Sequence, residues 1–226
     1  LSIAEGSDQP LMKAHAQLGL GRLFTDLGEF DRAVVYLKGA LQNCHGCSDY
    51  GLEIEVLTCL GNVLCLQGHF AEATNYLEAS LPTIQARQDQ RGKAEIYFAL
   101  GYAAALARDW PQAISYFEVA TEVAQQTGDR FREVRGLHNM GEAWLELGDV
   151  SKALELLEKA VIQQEAIDDV VTKAFTHFYL AKAYKLRHDL EACLGQLRNV
   201  FPLQQVPVSL TPAVRAEWLK TELYPE

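Results

Sequence analysis

Basic residues are in short supply in this sequence: 20 Lys and Arg stand against 30 Asp and Glu, for a formal charge of −10. A negative surplus of that size repels phosphate backbones, so nucleic acid is not an expected partner. Long apolar runs are also missing. Stretches such as IYFALGYAAALA (96–107) fall well short of the roughly 20 residues needed to span a bilayer, and membrane insertion is not expected. Cysteine is sparse, with five residues at positions 44, 47, 59, 65 and 193. An odd, uneven set argues against a disulfide framework and for a reducing compartment. No leader pattern opens the chain, and the expected location is cytoplasmic. Signatures of catalysis are absent as well: no GxSxG, no HExxH and no phosphate-cradling glycine loop. No catalytic residue, cofactor or metal site is assigned, and the chain is not expected to be an enzyme.

What the sequence does have is apolar residues, 49% of the total, enough for a substantial core, and it has a period. Gly21, Gly61, Gly101, Gly141 and Ala181 are 40 residues apart, as are Ala33, Ala73, Ala113, Ala153 and Cys193, and Leu37, Leu77, Phe117, Leu157 and Leu197. Three columns holding one spacing over five copies mark a repeat architecture. Within each copy, apolar residues recur at helical spacing, for example Leu57, Leu60 and Leu64. A short break follows (LGEF, QGHF, ARDW, LGDV, RHDL), then a second helix. Gly28, Gly68 and Gly148 suit a left-handed helix end, and Pro111 suits the first turn of the helix after it.

These residues resemble the tetratricopeptide repeat. The resemblance lies in a leucine–glycine pair, an aromatic three residues after the glycine (Phe24, Trp144, Tyr184), an alanine twelve residues after it, and a small residue seven further on (Ala40, Ser80, Ala120, Ala160). It covers residues 12 to 201. The 40-residue period differs from the family's usual 34, and the closing proline is missing. Forty-residue versions are similar to the repeats of Pins-type spindle-orientation scaffolds and, more loosely, to bacterial Rap-type peptide sensors. The implied fold class is all-α, a right-handed α-solenoid of about five repeats (12–47, 50–87, 91–127, 131–167 and 170–201). Thr211 as N-cap and Pro212 in the first turn predict a C-terminal capping helix over 211–223. Residues 1–5 have the pattern of the end of a preceding second helix, with a Gly/Asp link after them. Together with the missing initiator Met, this gives the expectation of a fragment of a longer protein.

The CHGC stretch (44–47) has the spacing of half a zinc site or of a redox dithiol. In register it falls in the link between the first two repeats. The equivalent links, 84–90, 125–131 and 164–170, contain neither Cys nor His. A structural zinc site needs four ligands, so the stretch is expected to be a solvent-side loop.

The family resemblance implies that first helices line the concave face of the solenoid. Counting from the repeat glycine, it assigns Arg22, Asn62, Tyr102, Glu142 and Lys182 one place after it, and Lys185 four places after it. It assigns Asn139 two places before, His138 and Phe178 three before, and Arg135 six before. Asparagines 62 and 139 match ones that contact ligand in Pins-type repeats. An asparagine amide can both donate to and accept from a peptide backbone, the cations suit carboxylates, and the aromatics suit apolar anchors. The two-carboxylate clamp of chaperone-binding relatives is incomplete here. The expected function is a scaffold that binds a peptide segment of a partner protein. The alternatives are a peptide-sensing module controlling an attached domain, or an accessory domain of an enzyme outside these residues. Neither the partner's identity nor the oligomeric state follows from the sequence.

Overall fold

A computed structural model describes residues 2–44, 49–167 and 169–200. Eleven helices follow one another among the described residues. They are α1 (Ser2–Asp26), α2 (Phe30–Cys44), α3 (Tyr50–Leu66), α4 (Phe70–Glu78), α5 (Leu81–Arg87), α6 (Gln90–Leu106), α7 (Trp110–Thr127), α8 (Arg130–Glu146), α9 (Val150–Gln164), α10 (Val170–Leu186) and α11 (Leu190–Val200). They pair as five helix–turn–helix repeats, with α1, α3, α6, α8 and α10 as first helices. The predicted helix over 211–223, and His45 to Ser48 of the CHGC link, lie outside the described residues.

The period follows from one contact made repeatedly. In the first four repeats the glycine of the first helix faces the residue sixteen places on, in the second helix of the same repeat. A Cβ at Gly21, Gly101 or Gly141 would lie 2.6, 2.5 and 2.5 Å from atoms of Leu37, Phe117 and Leu157. No real side chain tolerates that approach, so these glycines set the close spacing of the two helices. Ala33, Ala73, Ala113 and Ala153 are fully buried one turn earlier on the second helices, where a larger side chain would push the pair apart.

Each repeat turns on a left-handed residue. Gly28, Gly68 and Gly148 have φ of 75°, 80° and 83°, and Arg108 and His188 adopt φ of 60° and 61° at the same place in repeats three and five. The next amide donates back to a carbonyl of the finished helix, as Glu29 N does to Phe24 O (2.8 Å) and Asp149 N to Trp144 O (3.0 Å). This is the six-to-one bond of a Schellman ending.

Two details depart from the sequence expectation. The second helix of repeat two is broken into α4 and α5. Pro82 is the cause, because it has no N–H to continue the ladder and its ring collides with the carbonyl four residues back. Ser80 Oγ donates to Leu77 O at the break (2.6 Å). At the other departure, α1 is helical through Gly6 to Pro10, where a link is expected. The helix is anchored beyond Pro10 by Leu11, which packs on the core, and by the buried Ala14. Extending an anchored helix is far easier than nucleating one, so one missing hydrogen bond does not stop it.

At three of the four joints neighbouring first helices pack directly on each other, α1 on α3, α3 on α6 and α8 on α10. Among the described residues, no two second helices of neighbouring repeats pack as closely. Closer spacing on one side curves the stack toward that side, so the first helices form its inner layer.

Candidate functional site

Asp residues set the start of every first helix after α1. Asp49, Asp89, Asp129 and Asp169 accept from the backbone N–H of Leu52, Gly92, Arg132 and Thr172 at 3.0, 2.9, 3.0 and 3.3 Å. These N-caps fix the rotation of the inner helices. The sequence reading did not single them out, although they too recur every 40 residues.

On the inner layer, residues one place after the repeat glycine mostly bridge to a neighbouring first helix. Arg22 (α1) pairs with Glu55 (α3) at 2.5 Å. Tyr102 (α6) accepts a hydrogen bond from Arg135 Nη2 (α8) at 2.9 Å. Glu142 (α8) accepts from Tyr179 Oη (α10) at 2.5 Å. Lys182 (α10) pairs with Glu146 (α8) at 2.7 Å. Asn62 occupies the same column on α3, is exposed, and makes no side-chain hydrogen bond among the described residues. Arg132 adds a further α6–α8 bridge through Glu95 (3.5 Å) while also pairing with Asp129 (2.5 Å).

Arg135 sits among three rings. Its guanidinium carbon lies 5.7 Å from the Phe98 centroid, 5.7 Å from Tyr102 and 5.4 Å from Phe131. Aromatic faces attract a cation and restrict its motion. One of its five donors is used on Tyr102, and the planar head is held in a defined orientation for the others.

The structure places three of the sequence-assigned residues inside the protein. His138, Asn139 and Phe178 are buried. The His138 ring meets Tyr179 edge-on at 5.4 Å and Phe175 at 6.1 Å. Its Nδ1 lies 3.4 Å from Thr176 Oγ1, whose one proton goes to Thr172 O (2.8 Å). The hydroxyl therefore accepts from a protonated Nδ1. Burial, with the nearby Arg135 charge, holds the imidazole down to about 4, so it is neutral near pH 7. Phe178 packs edge-on against Tyr179 at 5.3 Å. Asn139 Nδ2 is buried with no hydrogen-bond partner, a donor whose desolvation is uncompensated. Lys185 is exposed at the end of α10.

Cysteine chemistry finds little support in these surroundings. Cys44 is buried in the last turn of α2. Burial pushes the Cys65 thiol up to about 11 and raises Cys193. At Cys59 burial raises the thiol more than the Arg22 hydrogen bond lowers it. Such thiols stay protonated near neutrality and are poor nucleophiles. Among the described residues no three His, Cys, Asp or Glu side chains gather to hold a metal ion, and no helix is long and apolar enough to cross a membrane.

A cleft of about 490 Å³ opens on the other side of α8, between α7 and α9. Leu137, Met140 and Trp144 lie along it, with Glu118 and Glu122 on one wall and Lys152 and Lys159 on the other. None of the sequence-assigned residues lines it.

The sequence from 52 to 126 matches the family model described as Tetratricopeptide repeat. Residues 52–126 carry tetratricopeptide repeats. Its fold is that of solved repeat solenoids. It superposes on BtubC (BKLC) from P. vanneervenii with a TM-score of 0.71 at 19% identity, covering 85% of this chain and 80% of that one. It superposes on TTC0263, a thermophilic TPR protein in Thermus thermophilus, with a TM-score of 0.66 at 20% identity, covering 93% of this chain and 100% of the other. The apo form of RapI gives 0.64 at 12% identity, with 86% and 84% covered. No curated protein sequence matches the chain.

Proposed function

We propose that this tetratricopeptide-repeat chain is a protein-interaction scaffold, and that its inner, first-helix layer binds a peptide segment of a partner protein. The observation that carries this reading is Asn62. Four of the five residues in its column are engaged in bridges between first helices. Asn62 is exposed and unengaged. Asparagine is a poor helix former, so at a helix position where it neither packs nor bonds, recognition is its best account. Its amide matches a peptide backbone, which offers one donor and one acceptor per residue. Arg135, oriented by its three rings, supplies a second contact suited to a carboxylate or a carbonyl oxygen. Arg22, Tyr102, Glu142, Lys182 and Lys185 complete the surface. Buried His138, Asn139 and Phe178 shape it from beneath. No reaction is proposed, and the proposed setting is the cytoplasm.

The test is a paired capture from the source cell, with wild type and Asn62→Ala/Arg135→Glu as baits. Each lost hydrogen bond costs about 0.5–3 kcal/mol, depending on charge and burial. The variant should therefore lose its specific partners while keeping the wild-type helical spectrum. Recovery of the same proteins in the same amounts by both baits would move the binding surface away from the inner layer.

A further inference from the structure

The outer side of the stack is tied across three of its joints and not across the other. At the first joint Lys38 on α2 pairs with Glu72 on α4 at 2.8 Å and lies 5.6 Å from the Tyr76 ring centroid. At the second, Tyr116 Oη on α7 donates to Glu78 on α4 at 3.1 Å. At the fourth, Tyr184 Oη on α10 donates to Glu158 on α9 at 2.6 Å. Lys38, Glu78, Glu118 and Glu158 stand forty residues apart. Glu118, at the third joint, makes no hydrogen bond or ion pair among the described residues. Leu156 stands forty residues after Tyr116, and a leucine has no hydroxyl to donate. This is the joint at which the cleft of about 490 Å³ opens.

The lining of the cleft has helical spacing. Leu137, Met140 and Trp144 follow α8 at i, i+3 and i+7, and Leu156 joins them from α9. That gives an apolar floor two turns long, about 10 Å. Leu137 and Met140 are buried, and Trp144 and Leu156 are half-buried. The walls differ in sign. Glu118 and Glu122 stand on α7, while Lys152 and Lys159 stand on α9 with Glu155 between them. Lys152 Nζ lies 3.9 Å from the Trp144 ring centroid and 3.5 Å from Asp149. Lys159 makes no hydrogen bond or ion pair among the described residues. Opposite charges that do not neutralise each other across a trough are available to an occupant of complementary pattern.

We propose that this cleft seats a helix of a partner protein, one with an apolar ridge, a basic flank against α7 and an acidic flank against α9. Ridge residues at i, i+3, i+4 and i+7 match the two-turn floor, as in other helix-in-groove contacts. Separation of charge selects this occupant over the chain's own expected helix at 211–223. There Arg215 and Glu222 are seven residues apart, so one flank would carry both signs. The partner supplies the helix already folded, because a free segment this short is not stably helical in water.

Fluorescence anisotropy on the full 226-residue chain tests this with three labelled, side-chain-crosslinked helical peptides of about four turns. All share one leucine ridge. The first carries lysine on one flank and glutamate on the other, the second lysine on both, and the third glutamate on both. Reversing a helix in the cleft exchanges its flanks, so the like-charged peptides are the controls. The mixed peptide should bind wild type about tenfold tighter than either control, or more. In Lys152→Glu/Lys159→Glu the preference should pass to the all-lysine peptide. Leu156→Tyr, which restores the residue of the two preceding joints, should remove binding of the mixed peptide while helical circular dichroism stays unchanged. A wild type that binds none of the three overturns the proposal, as when another segment of the chain or a second copy fills the cleft. So does equal binding of all three, or binding of the mixed peptide that survives both cleft variants.

Discussion

At the scale of single residues, the repeat glycines make unequal demands. A Cβ at Gly101 would meet three atoms of the Phe117 ring at 2.5–2.9 Å, and one at Gly141 would meet Leu157 at 2.5 Å. At Gly61 the nearest approach is 3.1 Å, to the flexible end of Leu77. Alanine is worth about 1 kcal/mol over glycine in a helix, while overpacking costs about 1–3 kcal/mol. Gly101→Ala is therefore expected to destabilise by about 1–2 kcal/mol in urea melts. Gly61→Ala should lie within about 0.5 kcal/mol of wild type. Equal effects at the two sites would mean that the close contacts are not what the glycines serve. His138 makes a second residue-scale test. Its folded pKa, about 4, lies below its ordinary 6.5. The unfolded chain therefore binds the proton more readily between these values, and stability falls as pH drops through that window, by about 3 kcal/mol in all. In His138→Phe the loss in Tm between pH 7 and pH 5 should shrink relative to wild type. An unchanged loss would show that this histidine is not held neutral by burial.

At the scale of elements, the turns separate what sequence patterning reveals from what it hides. Gly28, Gly68 and Gly148 announce a left-handed ending because glycine takes that conformation freely, and all three do so. Arg108 and His188 take it without the residue type that signals it, held by the same bonds back into the finished helix, Asp109 N to Ala104 O and Asp189 N to Tyr184 O. Left-handed strain for a residue with a side chain is about 1–2 kcal/mol, and glycine's extra freedom when unfolded offsets about 0.4–1 kcal/mol of it. Arg108→Gly and His188→Gly should each stabilise by about 0.5–1 kcal/mol, read as a higher urea midpoint at unchanged slope. A lower midpoint would mean that those side chains contribute more than their strain costs. Helix identity and register were legible because Gly, Ala and Leu columns report packing directly. The α4–α5 break was legible in Pro82, but repeat-wide averaging concealed it. The burial of His138 and Asn139 was not legible, because a column projected from a helix surface cannot tell which positions the neighbouring helix covers. For His138 that depends on the rings of Phe175 and Tyr179 one repeat away.

At the scale of the whole molecule, the core is segmented. One apolar cluster runs from Ala14 to Ala103, a second centres on Phe117 and Met140, and a third on Leu157 and Leu180. Polar and charged bridges on the inner layer span the joints, Arg135 to Tyr102 between the third and fourth repeats and Tyr179 to Glu142 between the fourth and fifth. The same layer that ties the repeats together leaves Asn62 and part of Arg135 unengaged, and that combination is what makes it the binding surface in this account. The most direct measurement works without an identified partner: selection of peptides from a random library on the immobilised chain, followed by titration of the enriched peptides against variants. The account predicts peptides that carry a carboxylate and bind wild type. Their affinity should fall by tenfold or more with Asn62→Ala/Arg135→Glu, since about 1.4 kcal/mol is a factor of ten. Affinity should be unchanged with Lys152→Glu/Lys159→Glu in the opposite cleft. Enriched peptides that bind the inner-layer variant as well as wild type, or that are lost only with the cleft variant, would contradict it.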